Sequence, residues 1–133
     1  MTELTKDRNT SYREGVELDY DAAADAKIYA GSMVCNNASG YAVPGADTAS
    51  FVFLGVAQHQ VDNIGGSNGD KKVVVRRTGV HRFAASGMAV TDIGAAVCIS
   101  DDQTVAKTTA NSIACGKVAE FISATEVGVD IAK

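Results

Sequence analysis

Apolar residues in this chain fall mostly at a spacing of two, and the polar clusters between them are rich in Gly, Asn, Asp and Ser. Val16, Leu18 and Tyr20 alternate with Glu17, Asp19 and Asp21, the pattern of a half-buried strand. Asp21–Ala26 is too short for a helix and reads as a connection. Ile28, Met33, Val34 and Cys35 follow around a bend or bulge at Gly31, Asn36–Gly40 is turn chemistry, and Ala42–Val43 return before Pro44 and Gly45. Ala49–Val61 is the most apolar stretch. Its adjacent Phe51, Val52, Phe53 and Leu54 suit a strand buried on both faces, and its β-branched residues and central Gly55 favour strand over buried helix. Asp62–Asp70 is a loop on every local signal. Val73–Val75, then Val80 and Phe83, form strands broken at Gly79. Ala95–Ser100 and Thr104–Lys107 flank a turn at Asp101–Asp102. Two more strands end the chain, the last alternating at Val127, Val129 and Ile131.

No convincing amphipathic helix appears. About nine short strands with turn signals roughly every 8–12 residues predict an all-β fold, a compact β-barrel or β-sandwich. Residues 1–15 are polar and aperiodic and read as an extended N-terminal arm. Residues 16–133 read as a single barrel-like domain.

The chain also echoes itself. "GSMVCNNASGYAV" from Gly31 is answered by "GAAVCISDDQTVAK" from Gly94, and "FLGVAQ" from Phe53 by "CGKVAE" from Cys115. Val34 falls on Val97, Cys35 on Cys98, Val56 on Val118 and Ala57 on Ala119. The ordered matches point to an internal duplication, 31–58 and 94–120. Each unit supplies a hairpin and a further strand, and neither can bury its apolar face alone.

Composition sharpens this picture. Apolar residues make up 46%, ordinary for a folded globule. They are mostly Ala and Val, with no Trp and only four Phe. Small side chains bury less area each, so oligomer contacts are expected to help hold the fold. The net charge of −4 argues against a nucleic-acid partner bound by phosphate neutralisation. The basic run Lys71–Arg82 alternates, which splits its charge between strand faces. Three Cys in apolar settings, with no CxxC pair, read as free thiols in a reducing compartment. No stretch approaches the roughly 20 apolar residues of a membrane span, so a soluble protein with no membrane partner is expected.

Chemistry is scarce. Only His59 and His81 could serve as a base, and each has polar neighbours. "GGSNGDKK" lacks the Gly-Lys-Ser/Thr ending of a phosphate loop and reads as a mobile surface loop. The acids of "DYDAAAD" and "SDD" do not match a calcium loop. No catalytic residue, metal site or cofactor is expected.

The polar arm, "GSMVCNNASGYAV", "FVFLGVAQ", "VVVRRTGVHRFAAS", "IGAAVCISDDQTVAK" and "GKVAEFISATEVGVDI", in this order, resemble the small capsid cement or head decoration proteins of tailed bacteriophages. The resemblance covers most of the chain from about Ala30 onward, through patterns of small residues. It implies a β-rich structural protein, not an enzyme, that assembles as a homotrimer on the outside of an icosahedral head. There it would contact the major capsid protein, stabilise the shell and become part of the virion after synthesis in the host cytoplasm. It gives the arm a docking role by strand addition, with Arg8, Tyr12, Arg13 and Val16 as interface residues. The alternative is a small β-barrel ligand-binding module or enzyme subunit, with His59, His81 and the Asp62–Asp70 loop lining its site.

Overall fold

The computed structural model describes residues 2–131. It is nearly all β. Twelve strands run in chain order: β1 Glu17–Asp21, β2 Lys27–Ile28, β3 Met33–Asn36, β4 Ala42–Pro44, β5 Val52–Ala57, β6 Val61–Asp62, β7 Lys72–Arg76, β8 Val80–Ala84, β9 Ala96–Ile99, β10 Val105–Ala106, β11 Ala114–Ser123 and β12 Glu126–Asp130. β2, β6 and β10 have only two residues each, which leaves nine longer strands. The one helical element is a single 3-10 turn, Val90–Asp92. The arm before β1 contains no strand.

The strands form two five-stranded antiparallel sheets and a two-stranded ribbon of β2 and β6. The first sheet has the order β1-β7-β5-β3-β4 and the second β8-β12-β11-β9-β10. These are one topology written twice. In each, the chain just past the first strand returns to the opposite edge of its own sheet. Ala22 bridges Ala42 in the first, and Ala84 bridges Thr104 in the second. Each sheet is thereby curled into a half-closed barrel, which pairs backbone groups that a flat edge would leave open.

The hydrogen bonds repeat in detail. Gly31 N–H donates to Ala57 O and Gly94 N–H to Val118 O, both at 2.8 Å. Ala57 N–H returns to Ser32 O and Val118 N–H to Ala95 O, both at 2.9 Å. Both glycines lie in the left-handed region, at φ 81° and 92°, which is why each unit opens on Gly. Val34 pairs with Gly55 as Val97 does with Gly116, and each pairing sits beside a bulge. Backbone pairing therefore sets Gly55 on Gly116 and Ala57 on Val118. The Val56/Val118 and Ala57/Ala119 pairing expected from the letters is displaced by one residue. The ladder is keyed by where the strand can pass close over its neighbour. A Cβ on Gly55 would collide with Arg76 O and the Val75 side chain. On Gly116 it would collide with Asp130 O and the Val129 side chain. The repeated topology also reaches beyond 31–58 and 94–120, because β1 and β7 match β8 and β12.

Each half-barrel has its own interior. Tyr20, Val34, Leu54, Ala57, Val73 and Val75 fill the first. The register sets Phe83, Val97, Cys115, Val118, Val127 and Val129 in the same places in the second. The second cluster also takes in Met33, Cys35, Phe53 and Val56 from the outer face of the first sheet, and this is the joint between the halves. Met33 N–H donates to Asp102 O at 2.8 Å across it. The Asp47 carboxylate accepts from Ala110 N at 3.1 Å and Asn111 N at 3.0 Å, while Asn111 Nδ2 donates to Asp47 O at 3.0 Å.

Two outcomes follow for stability. Gly116→Ala combines positive-φ strain with a collision against backbone, so it is expected to cost about 2–4 kcal/mol. Gly65→Ala, with a similar φ preference but open space around it, should cost about 1 kcal/mol; urea midpoints at constant m would separate them. Asp47→Ala removes three exposed hydrogen bonds between the halves and should cost about 1–2 kcal/mol in the same assay.

Candidate functional site

The arm carries the residues expected to form an interface. Residues 2–14 are exposed throughout. Leu4 is 71% exposed and Tyr12 85%, high values for large apolar side chains. Attachment to the body begins only at the end of the arm. Val16 O accepts from Arg77 N at 2.8 Å, and Gly15 O accepts from Arg77 Nη1 at 3.4 Å. Of the four expected residues, Tyr12 and Arg13 line one shallow depression with Ser11. Arg8 lies upstream, its carbonyl taken by Thr10 N. Val16 sits at the anchor, partly exposed. The structure brings Tyr12 and Arg13 together and leaves Arg8 and Val16 apart from that depression.

The residues of the ligand-site alternative are occupied by structural work. His59 Nε2 accepts from Val74 N–H at 3.2 Å, and its Nδ1 lies 3.2 Å from Gln60 O. The two bonds together require the neutral ring with hydrogen on Nδ1. His81 is on the other sheet, with Nε2 3.1 Å from Thr78 O and its ring stacked near Phe83.

The Asp62–Asp70 loop, expected to be mobile, is tied to the chain around Ala22–Asp25. Gly65 N donates to Asp25 Oδ1, Ser67 N to Asp70 Oδ2, Gly66 N to Asn63 O and Gly69 N to Ala22 O. Asn63 is buried beneath the loop, its Nδ2 donating to Ala23 O at 2.8 Å and Ser67 O at 3.0 Å. Amides already bonded to carboxylates and carbonyls cannot cradle a phosphate.

One group of exposed apolar residues escaped the sequence reading. Val90 is 62% and Ile93 50% exposed, on and just after the 3-10 turn. Asp92 holds this turn in shape by accepting from Ala89 N at 2.8 Å and from Lys107 Nζ at 3.3 Å. The Ala89 bond, reinforced by Lys107, draws the Asp92 carboxyl below the usual carboxylate range. An acid three residues after Ala89 was the available signal.

Among the described residues, no group of three or more His, Cys, Asp or Glu could hold a metal ion, and no helix is long and apolar enough to cross a membrane. All three Cys are free, with Cys35 and Cys115 buried and Cys98 partly exposed. Comparison with protein-family models, with curated proteins and with solved structures finds no match to this chain.

Because the folded pKa of Asp92 is depressed, its contribution to stability is present above the unfolded value and is lost as pH falls through the folded one. The stability difference between the native protein and Asp92→Asn is therefore expected to be largest near neutrality and to shrink below about pH 4, read from urea midpoints along an acid series.

Proposed function

We propose that this protein is a capsid decoration, or cement, protein. In this reading it forms a homotrimer on the outer surface of an icosahedral phage head, binds the major capsid protein and stabilises the shell without catalysis or cofactor. The observation that carries the reading is the arm, an exposed, strand-free segment that keeps large apolar side chains in water and is anchored only at its last residues. At about 3.3 Å per residue, such an arm spans up to about 45 Å, enough to reach beyond its own body onto a neighbouring surface. Strand addition along an open sheet edge would give it main-chain affinity without a dedicated pocket. The order of small-residue strands in the cement-protein resemblance agrees with this role.

The body suits the role in physical terms. A protein that clamps a lattice needs a stiff scaffold and repeated weak contacts, because neighbours tied together raise one another's effective concentration. An acidic surface keeps the unbound form soluble.

Co-sedimentation with undecorated heads tests the reading. Saturable pelleting at a fixed copy number per head is expected, and a well-folded protein that stays in the supernatant would overturn it. Deleting Thr2–Glu14 should abolish pelleting while changing stability by no more than about 0.5 kcal/mol, the range of surface changes away from the core.

A further inference from the structure

We propose that the outer face of the second sheet is the surface through which one copy of this chain docks on the next. The inference deepens the self-association in the reading above and rests on that part of it, not on capsid binding.

The two sheets present the same positions on their outer faces, but only one face is covered. The ladder matches Met33 with Ala96, Cys35 with Cys98, Phe53 with Ala114 and Val56 with Lys117. In the first sheet all four are buried, at 0%, 0%, 3% and 5% exposure, because that face is pressed into the second half-barrel. In the second sheet Ala96, Ala114 and Lys117 are exposed and Cys98 is half-buried. The joint is therefore heterologous: the first half gives its outer face and the second half receives it. Such a contact uses one surface of each half and leaves the complementary two open, which builds rings or filaments from further copies.

Both open surfaces are visible. On the second half, Ala96, Ala114, Gly116, Lys117 and Asp130 line an open depression of about 410 Å³ with largely apolar walls. Its small side chains allow close approach. On the first half, the receiving side is marked by comparison with the joint. Ile113 lies two residues beyond Asn111, which bonds Asp47, and packs against the shared cluster. The register equivalent is Val52, paired across the ladder with Asn36 as Ile113 is with Ile99. Val52 is 59% exposed.

The occupant follows from continuity with the interface already made inside the chain. The joint is a worked example of an outer sheet face seated on a half-barrel of this same design. The bare second face of one copy and the Val52 side of another extend that contact to a closed ring.

The test needs no capsid. Sedimentation velocity of the full chain is expected to show a closed oligomer. Ala114→Arg, a change at an exposed position, should reduce it to single chains with an unchanged circular dichroism spectrum, whereas Ser86→Arg, also exposed but off this face, should keep the oligomer. Labelling of Cys98 in the native chain should slow on concentration into the assembled range, which reads the same surface without any substitution. A native chain that sediments singly at high concentration, or an oligomer that survives Ala114→Arg with Cys98 still freely labelled, would overturn the proposal. Head binding retained by a folded single-chain Ala114→Arg variant would leave this surface assigned and show the cement role to be independent of it; an intact oligomer that fails to pellet would overturn the cement role alone.

Discussion

The burial of Met33, Cys35, Phe53 and Val56 against the second half-barrel is the contact on which the rest of the molecule depends. A half-barrel of this size leaves a large share of its surface in water and is marginal alone. Burying a Val, Phe or Met side chain stabilises by about 1.5–3 kcal/mol. Four such residues on one face, each in a sheet that already fills its interior with its other face, weld two marginal units into one core. This explains why β5 is buried along nearly its whole length, while β11, its counterpart, alternates between buried and exposed. Position in the assembly, more than position in the repeat, decides how apolar a strand must be.

A second constraint is steric. To curl a five-stranded sheet until its edges meet, the central strand must pass close over its neighbour. Gly55 and Gly116 make that passage, at φ 150° and 148°, where a Cβ would strike the backbone of β7 or β12. The bulge beside each glycine adds local twist and bends the strand. The glycines at 31 and 94 set the entry to the same unit. Four backbone positions thus specify the curl twice, and the side chains around them vary freely so long as they stay apolar on the inner face.

Much of this was legible in the sequence because period two and turn residues record local geometry directly. The all-β class, the longer strands, the Asn36–Gly40 turn and the polar arm all follow from alternation and Asn/Gly chemistry. The echo was visible where identical letters coincide, at Gly31/Gly94 and Val34/Val97. It was misregistered at β5 and β11 because matching Val-Ala pairs outweighed a glycine whose importance lies in what it passes over. The outer strands of the repeat were hidden, since Leu18 and His81, or Val74 and Gly128, share a place in the sheet but no chemistry. The stitched loop was read as mobile because the carboxylates that hold it, Asp25 above all, come from a distant part of the chain. Exposure is a tertiary property too, so Val90 and Ile93 looked like ordinary core letters.

The difference between the two halves is chemical as well as positional. Where the first sheet faces its permanent neighbour, it carries Met, Cys, Phe and Val, the side chains of a core cut in two. At matched positions the second sheet carries Ala, Cys, Ala and Lys. A face meant to remain covered gains from large apolar side chains, but the same residues left in water would make a sticky patch on the free protein. Small residues edged by Lys117 and Asp130 give a surface that tolerates water and still permits close contact. Two copies of one topology have thus been driven apart at the outer face alone, while their interiors kept the same apolar design. Selection for one permanent joint and one surface that must survive exposure accounts for that pattern; drift acting evenly on both halves would have blurred interiors and faces alike.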